Sequence, residues 1–274
     1  MRIFFNQIDG IGRKVTLNFE YTFKVLLMAY LAIRATVTNQ TQGLRTIVSV
    51  ILSQIYYTGW QAMTLISILA LASGGIVIIQ SSANLNIIGG AQMIGQLLVV
   101  IIVRELGPLL TALVVVARSG TAVASEVGNM RANREIEALE SIGINPLSYI
   151  VFPRIVGGVI SVVCLSTYFV IIALFGGYLI TKLMHGMPFG FFLNSLSSAV
   201  EVEDVWLFLL KNSFSGMIIF VVSCYQGLLV KKSPTEVPVA TTQAVVKSII
   251  YVIVFNLSVT ALFYLNQLVK VGIL

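Results

Sequence analysis

Between Thr46 and Gln80 the chain carries no Asp, Glu, Lys or Arg, and this run constrains the fold more than any other feature. A helix on the surface of a soluble protein keeps a polar face. This stretch has none to offer, and it exceeds the roughly 20 apolar residues that a bilayer crossing needs. Four more long apolar runs follow, at 86–117, 155–181, 205–230 and 244–269. The whole chain of 274 residues is 57% hydrophobic and 10% charged, with a mean hydropathy of +0.95, whereas soluble domains are about a quarter charged. The expectation is an all-α integral membrane protein with about five transmembrane helices in a single domain over 1–274.

The net charge of +6 does not point to nucleic acid, because the basic residues sit at the ends of the apolar runs. Arg2, Arg13, Lys14, Lys24, Arg34, Arg45, Arg118, Arg131, Arg134, Arg154, Lys231 and Lys232 fall on one side of the alternating spans. Lys182, Lys211 and Lys270 fall on the other. By the positive-inside rule the N-terminus is cytoplasmic. Residues 25–33, flanked by Lys24 and Arg34, are too short to span, so 1–45 reads as an N-terminal interfacial helix region. Gly59 and Trp60 divide 46–80 into an elbow and a first span, so 46–117 holds the elbow and two spans. Residues 118–154 form a cytoplasmic region, and 155–274 holds the last three spans, with a mixed loop and a short amphipathic helix at 182–204. The opening "MRIFFNQIDGIGRK" lacks the apolar core of a signal peptide. Cys164 and Cys224 read as small hydrophobes inside spans, and the lone His185 argues for no metal site.

Paired glycines (Gly74–Gly75, Gly89–Gly90, Gly157–Gly158, Gly176–Gly177) and small-xxx-small spacings (Ala91 with Gly95, Gly157 with Ser161, Ala173 with Gly177) suit close helix contact. Two readings stand: packing within one subunit, or a homodimer seam.

Two stretches break the apolar pattern. The first is "RELGP", inside the second run. Ionisable residues at such depth face a cavity or one another, and a proline after them removes a backbone donor. Arg104, Glu105, Gly107 and Pro108 therefore mark either a bent helix with a polar point on a substrate path, or a helix that ends near 104 with its charges among headgroups. Adjacent residues on a helix point about 100° apart, so one of the two charges would reach a partner helix and the other a lumen. The second stretch is 118–146, crowded with charge. Residues 121–142 hold no proline and stop at Gly143, with Pro146 beyond, which predicts one amphipathic helix. Ala132, Ile136, Leu139 and Gly143 share a face, and Arg131 with Glu135 form an i,i+4 pair. That helix either merely connects two spans or docks a partner. More than thirty residues separate the two runs where a few would do, which favours docking.

No G-x-x-x-x-G-K-[ST] phosphate loop occurs, so any energy from ATP must enter through another chain. A secondary transporter driven by ions or protons, with Glu105 as its titrating group, is the alternative.

The segment "RELGPLLTALVVVARSGTAVASEVGNMRANREIEALESIGINPLSYIVFPRI", together with "ATTQAVVKS" near residue 240, resembles the MlaE/YrbE/TGD1-type permeases, the membrane subunits of MCE-associated ABC lipid transporters. The resemblance extends over nearly the whole chain. It implies a non-catalytic inner-membrane permease that works as a homodimer and moves lipids, phospholipids above all, between the inner and outer membranes. It implies a P-loop ABC ATPase subunit that carries ATP-Mg, an MCE-domain substrate-binding protein and a small STAS-domain subunit, with no cofactor in this chain. The cytoplasmic helix would be the coupling helix, which gives Glu126, Arg131, Arg134, Glu135, Glu137, Leu139 and Glu140 a role at the ATPase. Arg104, Glu105, Gly107 and Pro108 would stand at a lipid-binding cavity.

Overall fold

A computed structural model describes residues 19–36, 44–88, 93–231 and 233–270. Every element among them is a helix. α1 covers 19–36. α2 (Leu44–Gly59) runs through a 3₁₀ turn (Trp60–Ala62) into α3 (Met63–Ile88), with Gly59 itself in helical conformation. α4 (Met93–Leu98), α5 (Gly107–Val115) and α6 (Thr121–Ala132) form one continuous helix, joined by π-helical stretches at Val99–Leu106 and Val116–Gly120. A short α7 (Glu135–Ser141) leads through a π-turn (Leu147–Val151) into α8 (Phe152–His185), which Pro153 starts in the position where its missing N–H costs nothing. α9 (Phe189–Ala199) lies between α8 and α10 (Val202–Leu228), and a 3₁₀ turn (Pro234–Glu236) enters α11 (Val237–Lys270).

Five of these helical stretches are long and apolar enough to cross a membrane: Ile47–Ser81, Gly95–Ala132, Leu147–Met184, Val202–Leu228 and Pro234–Val269. They match the five apolar runs. The second extends beyond its run, because α6 stays packed in the bundle: a side chain at Gly128 would press on Val230 and Val237, and one at Gly227 on Val127 and Ala124.

Small residues set the helix spacing. A Cβ at Gly74 would collide with the Ala173 carbonyl, so α3 and α8 touch backbone to backbone. Gly176 meets Leu71 on the same seam, and Gly157 meets Gln54 and Ile51 of α2. Packing within one chain thus uses Gly74, Gly157, Ala173, Gly176 and Gly177. Gly89–Gly90 and Ala91 lie outside the described residues. Buried polar side chains add bonds across the seams: Asn256 Nδ2 donates to Ser215 Oγ at 3.0 Å, Ser67 and Tyr168 share a bond of 2.7 Å, and Ser166 donates to Asn212.

Within the interfacial region, residues 1–18 and 37–43 are outside the described part. α1 lies beside α11, α10 and α8: Thr22 and Tyr251 share a hydrogen bond of 2.8 Å, Val25 and Ala29 line one cavity with α10 and α11, and Ile33 lines another with Phe152 and Val156 of α8. Val25, Met28, Ala29 and Ala32 face inward at helical spacing, while Phe19, Phe23, Leu27 and Tyr30 are exposed. An outer face this apolar suits lipid, not water.

The charged block departs from expectation. The single helix foreseen over 121–142 is broken at Asn133 and Arg134, where Arg134 takes φ 61°, the left-handed region. Asn133 and Arg134 close α6 by bonding to the carbonyls of Asn129 and Arg131. The break turns the chain, so Arg131 does not meet Glu135; its ion pair, at 3.8 Å, is with Glu137. The expected stop at Gly143 holds. Gly143 has φ +80°, its N–H bonds the Glu140 carbonyl, and the Ile144 N–H bonds that of Leu139, the paired closure of a glycine-ended helix.

Candidate functional site

The deepest charges gather where α10 and α11 meet the π-helical stretch of the second span. In that stretch Gly107 N–H reaches back to the Ile102 carbonyl, five residues earlier. Gly107 and Pro108 are buried, and a Cβ at Gly107 would crowd Ile102 O at 2.9 Å and Val170 at 3.0 Å. They shape the helix from inside the bundle. Pro108 has no N–H, so the Arg104 carbonyl lacks its α-helical donor four residues on. Lys211 Nζ supplies that donor at 2.7 Å.

Lys211 also donates to Glu105 Oε1 at 3.0 Å and to Thr260 Oγ1 at 2.7 Å. Thr260 in turn donates to the Glu105 carboxylate at 3.0 Å. Arg104 turns the other way. Its Nε lies 2.6 Å from Asp204 Oδ1 as a close ion pair, off the axis of an aligned hydrogen bond, and its guanidinium stands over the Phe263 ring at 5.3 Å. Asp204 also caps its own helix, since Oδ2 accepts the Glu201 N–H at 3.0 Å in a capping box that starts α10.

Four charges therefore cancel in two pairs across spans two and four, with span five contributing Thr260 and Phe263. The energetics explain the arrangement. One ionisable side chain at the centre of a membrane helix costs about 2.5–3.5 kcal/mol on insertion scales, and taking away one partner of a buried pair costs about 3–5 kcal/mol. Lys211 and Asp204 have no exposure at all, so neither charge is tolerable without its partner.

Sequence alone locates half of this cluster. Arg104 and Glu105 do lie within a span, and both reach the same neighbouring helix, not one helix and one lumen. Arg104 is buried and Glu105 is about one-third exposed. Lys211, grouped by sequence with the outer flanking charges, is in the core, and Asp204 looks in sequence like part of an acidic loop run. The signal is nevertheless present: Asp204 and Lys211 are two helical turns apart and so share a face, and Lys211 follows six apolar or aromatic residues in "VWLFLLK". Thr260 carries no signal, since threonine is ordinary in a membrane helix.

Two clefts flank the cluster. One, of about 580 Å³, lies between α10 and α11 and is lined by Glu203, Trp206, Leu210, Phe263 and Asn266. The other, of about 530 Å³, lies between α3 and the second span, at Ile76, Gln80, Leu97, Ile101 and Leu106. Neither lining includes Arg104, Glu105, Gly107 or Pro108.

The second candidate region is the hairpin at 133–146. Ile136 is 2% exposed and Leu139 half-buried, which anchors α7 to the bundle. Arg134, Glu135, Glu137 and Glu140 face outward, and Ile142 beside them is 70% exposed. Asn133 Nδ2 donates to Glu135 at 3.3 Å. Glu126 lies on α6, before the hairpin: its side chain is 60% exposed and pairs with Arg154 at 2.6 Å, which joins the second span to the third.

Five apolar helices, with a charge-balanced network across spans two, four and five and a charged hairpin at one end, define a multi-pass integral membrane protein. Residues 51–262 match the family described as permease MlaE. A probable ABC transporter permease protein of Rickettsia conorii is 29% identical over 260 residues, 95% of this chain and 98% of that protein. A protein of the same description from Rickettsia felis is 32% identical over 216 residues, 79% and 83% of the two chains. The intermembrane phospholipid transport system permease protein MlaE of Haemophilus influenzae is 28% identical over 219 residues, 78% and 82%. The chain belongs to the MlaE permease family, and it is an ABC transporter permease.

Proposed function

We propose that this chain is the non-catalytic membrane subunit of a transporter that moves phospholipid between two membranes, driven by ATP hydrolysis in a separate subunit. The observation that carries the proposal is the hairpin at 133–146. Its carboxylates and Ile142 face outward while Ile136 is buried and Leu139 half-buried against the bundle, and the Glu126–Arg154 pair joins spans two and three at its base. A projecting surface, apolar at Ile142 and charged around it, suits a protein partner. Force applied there travels along the second span to the Arg104–Lys211 network.

The partner is a P-loop ATPase that carries ATP-Mg, with Arg131, Arg134, Glu135, Glu137 and Glu140 at or beside the contact. The chain works as a homodimer with an MCE-domain protein on the far side and a STAS-domain subunit on the near side, in a bacterial inner membrane. The orientation rests on Lys and Arg. With Lys211 withdrawn into the core, Lys182 and Lys270 are left of the three lysines that sequence places opposite the hairpin, which sharpens the positive-inside asymmetry. Phospholipid is supported by the Haemophilus influenzae relative and by the apolar clefts beside the network. Glu105 is committed to Lys211 and Thr260 as a brace between helices, which gives the proton-coupled alternative little support.

The test is reconstitution with the ATPase subunit. Glu137→Lys with Glu140→Lys should abolish stimulation of ATP hydrolysis by the membrane subunit while leaving its yield and fold intact. Stimulation equal to that of the unchanged chain would refute the docking role.

A further inference from the structure

A cavity of about 340 Å³ opens between α1, α10 and α11 and runs along α10 from Phe214, one turn beyond Lys211, to Val222. Its walls are apolar, with Val25 and Ala29 from α1, Met217 and Val221 from α10, and Val254 and Phe255 from α11. Its polar groups collect at one end. There Thr22 and Tyr251 share a hydrogen bond of 2.8 Å. Outside the lining, one helical turn before Tyr251, stands Lys247, with Nζ 3.8 Å from the centre of the Tyr21 ring. Tyr21 also stacks on Tyr251 at 6.3 Å and accepts a bond of 2.7 Å from Gln226. No carboxylate among the described residues pairs with Lys247.

The depth fits a headgroup layer. A crossing needs about 20 residues, and α11 has 34, so the first dozen or so lie at or outside the boundary. Lys247 is the eleventh residue of α11 and so stands near that boundary. From it, the path along α11 runs inward from a cation (Lys247) to a hydroxyl (Tyr251) to hydrocarbon (Val254, Phe255).

We propose that this is a binding site for one anionic phospholipid of the leaflet on the hairpin side, with its phosphate against Lys247 and one acyl chain in the cavity beneath α1. The shape excludes a partner helix, since a helix with its side chains is about 10–12 Å across and the cavity is at the small end of the roughly 300–1,000 Å³ typical of ligand pockets. The unpaired ammonium selects a negative headgroup. The aromatic floor beneath it satisfies only one face of the cation, which leaves its donors for phosphate oxygens. The site depends on the membrane reading of α1 and α11 and not on transport, so its failure leaves the ATPase-coupling test untouched.

The experiment is native mass spectrometry of the purified full chain, titrated with phosphatidylglycerol, with phosphatidylcholine, and with inorganic phosphate. The unchanged chain should retain one phosphatidylglycerol per chain that Val254→Trp, which fills the cavity mouth, does not retain. Lys247→Gln should keep a lipid but lower the preference for phosphatidylglycerol over phosphatidylcholine about fivefold, the worth of one Lys near an anionic surface, and Lys247→Arg should restore it. Equal retention and equal headgroup preference in the unchanged chain, Val254→Trp and Lys247→Gln would overturn the proposal. So would inorganic phosphate that displaces the lipid at comparable concentration, because the acyl chain would then contribute nothing.

Discussion

Lys211 donates to the backbone carbonyl of Arg104 at 2.7 Å, the carbonyl that Pro108 deprives of its helical partner. Its remaining donors go to Glu105 and Thr260. One ammonium thus repairs a proline defect in span two, neutralises a carboxylate and reaches span five. Lys211→Met should destabilise the protein by about 3–5 kcal/mol, read as thermal unfolding in detergent. Glu105→Gln added to Lys211→Met should cost less than the sum of the two single changes, since the second removes the charge that the first left unpaired. Strict additivity would mean that the two groups are not coupled.

Asp204 combines an ion pair with a helix cap, and substitution separates them. Asp204→Asn keeps an acceptor for the Glu201 N–H but loses the charge that faces Arg104; Asp204→Ala loses both. The alanine variant should be less stable than the asparagine variant by about 1 kcal/mol, the usual worth of an N-terminal cap. Equal stabilities would show that the capping bond adds nothing.

Adjacent glycines at 74 and 75 should behave differently. Gly74→Ala drives a methyl into the Ala173 carbonyl and must separate α3 from α8, whereas a Cβ at Gly75 meets only Ile180 at 3.5 Å. Gly74→Ala should lower the unfolding temperature and the yield in membranes, and Gly75→Ala should leave both near those of the unchanged chain. Comparable losses at the two positions would refute the backbone contact.

Arg134 stands in the left-handed region at φ 61°, which costs a residue with a Cβ about 1–2 kcal/mol. Arg134→Gly should therefore preserve or raise stability, while Arg134→Val, branched at Cβ, should lower it. Proteolysis at the hairpin would report the same order. A valine variant as resistant as the glycine variant would mean that the bend is not held in this conformation.

How far the sequence could be read followed from the range of each interaction. The five spans and the stop at Gly143 were legible, because each depends on neighbours along the chain: runs of apolar side chains, or a glycine free to take positive φ. Arg104 and Glu105 were legible as misplaced charges because water and hydrocarbon differ so strongly in how they treat an ion.

Their partners were not legible. Asp204 lies 100 positions from Arg104 in the chain, and Lys211 stands 106 from Glu105; whether Lys211 flanks a span or sits within one depends on how deep α10 is placed beside the second span. The break at Arg134 was hidden for the same reason. Local propensity favours a single helix through 121–142, and it is the burial of Ile136 and Leu139 against the bundle that turns the chain there. Apolar periodicity along one chain specifies which segments enter the membrane. Which charges meet inside it is set by helix-to-helix packing, where backbone contact at Gly74 and Ala173 brings distant segments into register.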